Sequence, residues 1–188
     1  MTTFSVHQLG KFPATRGLGR EGRGRLDDLL AGQDRIDLTI DFSGVEAMTA
    51  SFVDEFLGKF LTSDDVAKSE STIKVTGLDE DNHYAVLVCV ERRETQVVVH
   101  DNDLLSLVGD RMLSETFNEA VRLETFKAND LAKSLNLSAQ NANNRLKRLT
   151  AVGALRKKQV TGSPRGGKEF VYQAVSSNVS DVQPLAPA

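Results

Sequence analysis

Residues 130–160 read DLAKSLNLSAQNANNRLKRLTAVGALRKKQV, and their spacing predicts two short helices joined by a tight turn, followed by a basic strand. Leu131, Ala132 and Leu135 offer the first helix a core face, and Leu137 fills the turn. Ser138 stands where its hydroxyl can accept from a free amide of the next helix, so it is the expected N-cap. Ala142, Leu146, Leu149 and Val152 then fall at steps of four, three and three, which makes one apolar stripe. The remaining faces carry Gln140, Asn141, Asn143, Asn144, Arg145, Lys147 and Arg148. Amides and guanidiniums pair with adenine and guanine edges and with phosphates. The stretch is therefore expected to be a helix-turn-helix with a DNA-reading surface.

The flanking sequence extends this pattern. Residues 114–126 form another amphipathic segment, with Phe117, Ala120, Val121 and Leu123 on one face and Ser114 as its expected cap. Gly153 is a helix stop. Residues 154–161 then read as a strand, 162–167 as a glycine-rich loop and 168–175 as a returning strand. Three helices and a hairpin with a basic tip, over roughly residues 110–175, resemble the MarR/ArsR-like winged-helix families. That resemblance implies that the helix starting at Ser138 enters the major groove by its N-terminal half. Gln140, Asn141, Asn144 and Arg145 would then meet base edges, while Lys147 and Arg148 would meet phosphates. Arg165 and Lys168, on the wing, would reach the neighbouring groove or backbone. The alternative is a winged helix that docks proteins through a solvated polar face. Against it, no Asp or Glu occurs between Asp130 and Glu169.

Charge divides the chain in the same place. Residues 1–114 hold 12 Lys and Arg against 20 Asp and Glu, a net of −8. Residues 115–175 hold 11 against 5, a net of +6, and the tail adds Asp181 to give −3 overall. A basic module joined to an acidic one implies a polyanion partner, double-stranded DNA, for the C-terminal part alone.

In the acidic part, residues 36–42 (IDLTIDF) alternate apolar and polar positions as a half-buried strand does. Ser43 and Gly44 break it, and a helix capped near Thr49 or Ser51 follows, showing Phe52, Val53, Phe56, Leu57 and Phe60. Residues 71–77 read as a second strand, 78–93 as a helix with an acidic start and a basic end, and 95–100 as a third strand. Alternation of this kind implies a small α/β layer. The run DFSGVEAMTASFVDEFLGKF (41–60), preceded by the arginine- and glycine-containing 12–30, resembles the STAS-like domain family of unknown function, related to the STAS domains of anti-sigma-factor antagonists. Those antagonists carry Asp-Ser-Ser-Gly before the helix, with the first serine phosphorylated by a partner kinase. Here the four positions are Thr49, Ala50, Ser51 and Phe52, so the phosphorylated position is an alanine. Thr49 and Ser51 are left either as helix caps or as phospho-acceptors. The resemblance carries over a fold and a protein-docking surface, facing a kinase-like ATPase or another regulator.

The expected architecture is thus an α/β STAS-like N-terminal domain (10–100), a linker or interdomain or dimer helix (101–113), a mainly α winged helix-turn-helix C-terminal domain (114–175) and a disordered tail (176–188). Residues 103–113 carry more apolar surface than a linker needs, which implies a homodimer contact or packing between the domains. Gly17, Gly19 and Gly22 spell GxGxxG, but no hydrophobic strand is evident before them, so 16–25 is expected to be a mobile basic loop, not a cofactor cradle. His7, His83 and His100 are scattered and Cys89 is alone in an apolar run, so neither a metal site nor a cofactor is expected. No convergent acid/base pair is evident, and no enzyme is expected. The longest apolar run, 85–90, is too short for a membrane span, and a cytoplasmic location without membrane partners fits the chain best.

Overall fold

The computed structural model describes residues 1–31, 35–160 and 169–175. Strands β1 (Thr2–Ser5), β2 (Asp37–Asp41), β3 (Thr72–Thr76) and β4 (Val97–Asp101) lie parallel, side by side in chain order. β5 (Leu104–Val108) returns antiparallel beside β4 and closes the sheet on that side. Adjacent parallel strands require crossovers, and right-handed crossovers put their helices on one face. That face holds α1 (Arg16–Ala31), α2 (Ala50–Val53), a π-helical turn (Asp54–Gly58) running into α3 (Lys59–Leu61), and α5 (Glu80–Arg92). The short α4 (Asp64–Lys68) precedes β3. Leu38, Ile40, Ile73, Val75, Val97 and Val99 point to these helices and form one core with Leu26, Phe52, Phe56, Val86 and Val90.

Strand alternation turns Val98, Leu105 and Leu107 to the opposite face, where they share a second core with Leu113, Phe117, Leu131, Leu146 and Leu149. Those last residues belong to a C-terminal unit made of α6 (Arg111–Leu123), β6 (Thr125–Lys127), α7 (Ala128–Ser134), α8 (Ala139–Ala151), β7 (Leu155–Val160) and β8 (Glu169–Ala174). Its three strands form an antiparallel sheet in the order β6-β8-β7. α8 ends as its sequence demands. Gly153 takes φ +71°, its amide donates to Thr150 O and the Ala154 amide to Leu149 O, the two bonds of a Schellman stop. The same glycine touches the large sheet: its carbonyl accepts from the Ile73 amide at 2.8 Å. Arg156 adds an ion pair to Asp37 at 2.6 Å.

Several expectations change. The expected basic loop 16–25 is instead the first part of one helix that runs over Arg16–Ala31. Gly19 and Gly22 are where α1 meets the helix carrying Phe56: a Cβ at Gly22 would lie 2.6 Å from Leu9 Cδ1 and 2.9 Å from the Phe56 ring. Close approach accounts for these glycines. The segment 101–113, expected as a linker or helix, instead holds β5 and the start of α6. Its Leu105, Leu107 and Leu113 are spent on the shared core, leaving Leu104 and Met112 as its exposed large apolar residues. With β1 and β5 in it, the sheet reaches beyond 10–100 at both ends. Helix α6 starts earlier than expected and is capped by Asp110, whose carboxylate accepts from the Met112 and Leu113 amides, while Ser114 donates back to Leu107 O and Asp110 O. The tail 176–188 and the glycine-rich loop 162–167 lie outside the described residues, as do 161 and 168 beside the loop.

Candidate functional site

The polar face of α8 gathers most of the residues expected to meet DNA on one helix. Ser138 caps the helix, its hydroxyl accepting from the Asn141 amide at 3.2 Å. Asn136 takes φ +51° in the preceding turn, and the Leu137 amide donates to Ala132 O at 2.8 Å, so α7 and α8 are held at a fixed angle. Ala142, Leu146 and Leu149 are buried, and Gln140, Asn141, Asn143, Asn144, Lys147 and Arg148 are exposed. Gln140 donates to Asn144 across one turn at 3.3 Å.

The arginines behave differently from the amides. Arg145 is half-buried: its Nε donates to Asn141 Oδ1 at 3.1 Å and its Nη1 to Thr116 Oγ1 at 3.0 Å. Thr116 is fully buried on α6, so Arg145 is anchored to the frame of the unit. Arg148 pairs with Asp110 at 2.9 Å. Burial pushes the Asp110 carboxyl up, but the Leu113 amide and the Arg148 guanidinium outweigh it and hold the group below the ordinary carboxylate range. Of the expected surface, Gln140, Asn141, Asn144 and Lys147 stand together in the open. Arg165 and Lys168 fall outside the described residues.

β7 adds cations that were expected only as part of a basic strand. Lys158 is exposed, Lys157 lies over the Phe170 ring at 3.8 Å from its centroid, and Arg156 is committed to Asp37. The Arg-Lys-Lys run was the available signal; which of the three stays open depends on contacts more than eighty residues away in the chain, such as Arg156 with Glu70 O. α6 and α7 are tied together by Glu119, which accepts from Ser134 and pairs with Arg122. Arg122, then Ser134, hold the Glu119 carboxyl down at about 2.

In the N-terminal unit, Thr49 is the cap of α2. Its hydroxyl accepts from the Phe52 amide at 3.2 Å and donates to Ala14 O at 2.6 Å. Ser51 is half-buried in the first turn of that helix. Cys89 is buried, and burial followed by the nearby Asp54 carboxylate pushes its thiol up to about 11, so it is a poor nucleophile at neutral pH. Among the described residues, no group of three or more His, Cys, Asp and Glu is placed to hold a metal ion, and no helix is long and apolar enough to cross a membrane.

Residues 27–83 match the family model of a STAS-like domain of unknown function. The matched stretch runs from the end of α1 through β2, the Thr49-capped helix and β3 into α5. The mixed α/β layer with its mostly parallel sheet is consistent with such a domain. No curated protein and no solved structure matches the chain.

Proposed function

We propose that the chain is a DNA-binding transcriptional regulator, with a winged helix-turn-helix in its C-terminal unit and a STAS-like half that senses or docks a protein partner. The observation that carries this reading is the open face of α8. Gln140, Asn141 and Asn144 sit in its first turns, beside Lys147, on a helix fixed by a cap and a turn. Amides of that kind at a helix N-terminal half suit adenine edges in the major groove. The element order helix, strand, helix, helix, strand, strand supports the winged-helix assignment. The absence of any acid from 131 to 168 supports a polyanion partner.

In this reading Lys147 and Lys158 meet phosphates. Arg148 joins them by exchanging Asp110 for a phosphate. Arg145 braces Asn141 and sets its direction. The STAS-like half needs no phospho-switch at Thr49, whose hydroxyl already closes the helix start. A second reading, a partner-switching adaptor whose C-terminal unit docks proteins, draws support from the internal engagement of Arg145 and Arg148.

Salt separates the two. The full chain is titrated with double-stranded fragments spanning its own promoter and neighbouring genes. Affinity that falls steeply with salt fits the regulator, and no binding at low salt overturns it. Asn144→Ala and Lys147→Ala are better probes than changes at Arg145 and Arg148, because they leave the ties to α6 and its cap intact.

A further inference from the structure

The helix layer is one helix short of its sheet. α1, the α2–α3 helix and α5 serve the crossovers among β1 to β4, while β5 arrives by a hairpin and brings no helix with it. α5 is therefore the last helix of the layer, packed on one flank against α2 and the π-helical turn. Its outer side carries two large apolar groups that no described residue covers: Tyr84 is 67% exposed and Val88 39%. On β5, alternation turns Leu104 toward the same face of the sheet, where it is 69% exposed.

The charges bounding this stripe identify what covers it. Asp81, Tyr84, Ala85, Val88 and Arg92 recur at steps of three, one, three and four, within one face of α5. Asp81 at one end and Arg92 at the other are both exposed, and neither makes an ion pair within 4 Å among the described residues, although the Arg92 charge also acts on Asp54. The sequence of groups is acid, apolar, base. Such a stripe is complementary to itself when reversed. Two copies related by a two-fold axis between the levels of Val86 and Leu87 would set Asp81 against the other copy's Arg92 twice over, and Ala85 against Val88 twice. Glu91 lies at the margin of the stripe.

We propose that a second copy of this chain covers α5, the two helices packing antiparallel. A single helix pair covers less than the roughly 800 Å² per partner of a standard interface, so the dimer is weak and concentration-dependent. The proposal does not rest on the DNA-binding reading, and its test uses no DNA.

The test is sedimentation velocity of the full chain between about 1 and about 100 µM, with dissociation constants compared by affinity arithmetic. The native chain is expected to shift from monomer to dimer. Asp81→Arg and Arg92→Asp each place like charges together twice and are expected to weaken the dimer about tenfold or more. The double variant Asp81→Arg with Arg92→Asp restores opposite charges and is expected to return to near the native value. All three variants change exposed positions only, and unchanged thermal melts establish that the fold is kept. A native chain that stays monomeric throughout overturns the proposal. So does a dimer that the single variants leave intact, or one that the double variant fails to rescue.

Discussion

Replacing Gly22 and Gly24 separately by alanine isolates the energy of one contact. Both lie inside α1, so both replacements gain about 1 kcal/mol of helix propensity. At Gly24 the new methyl meets nothing within 4 Å. At Gly22 it meets Leu9 Cδ1 at 2.6 Å and the Phe56 ring at 2.9 and 3.0 Å. The Leu9 tip can rotate away, but Phe56 cannot. Its ring is stacked on Phe52 with centroids 5.2 Å apart, lies edge-on to Phe42 at 6.3 Å, and rests against Phe4 at 5.8 Å. Overpacking of this kind costs about 1–3 kcal/mol. Gly24→Ala should therefore stabilise by about 1 kcal/mol. Gly22→Ala should end between neutral and about 2 kcal/mol less stable once the propensity gain is subtracted. The difference between the variants, about 1–3 kcal/mol, is the packing cost alone, because the helix term cancels. With a urea m-value of about 2 kcal/mol/M, the midpoints should separate by about 0.5–1.5 M at unchanged m. If both variants raise the midpoint equally, α1 does not sit on Phe56 and the account of the helix layer fails.

Gly153→Ala forces a side chain into φ +71° and sets its Cβ 2.9 Å from Ile73 Cγ1, so a loss of about 2–4 kcal/mol is expected in chemical denaturation. An unchanged midpoint would mean that the C-terminal unit does not meet β3 there. Glu119 is held down at about 2 from an ordinary 4.5, so its contribution is complete above about pH 4.5 and lost as pH falls toward 2, where the native state is finally protonated. Melting temperature between pH 5 and 2 should therefore fall more steeply for the native chain than for Glu119→Gln, and parallel curves would refute the pairing with Arg122. Asn144→Ala should relax base preference at one position of a selected DNA site at a cost of about 1–3 kcal/mol, whereas Lys147→Ala should weaken all sequences alike and lower the salt slope by about 1. Reversed roles in a binding-site selection would remove α8 from the groove in its proposed orientation.

The parts of the fold that were legible are those fixed by local pattern. The apolar stripe of α8, its Ser138 cap and its Gly153 stop all lie within the helix and its edges. α1 was not legible, because its glycines argue against a helix by propensity while contacts with Phe52 and Phe56 select for them. β5 was hidden as surplus apolar sequence. Its signal was the pair Asn102 and Asp103, which take φ +46° and +64° and make the two-residue turn from β4. In the candidate site, residue types and helix phase could be read, but availability could not. Arg145 was one of four residues expected at base edges, and its tie to Thr116, twenty-nine residues earlier in the chain, was not visible in the local pattern. Arg148 is held by Asp110, which serves two tasks as its partner and as the cap of α6.

The most direct measurement is the affinity of the full chain for double-stranded DNA as salt rises from about 50 to about 200 mM. Phosphate contacts from Lys147, Lys158 and a released Arg148 give a slope of about −2.7 in log affinity against log salt for each copy bound. That fourfold rise in salt should therefore weaken binding about fortyfold. Absence of binding at the lowest salt, or an affinity that does not change across the range, would contradict the account.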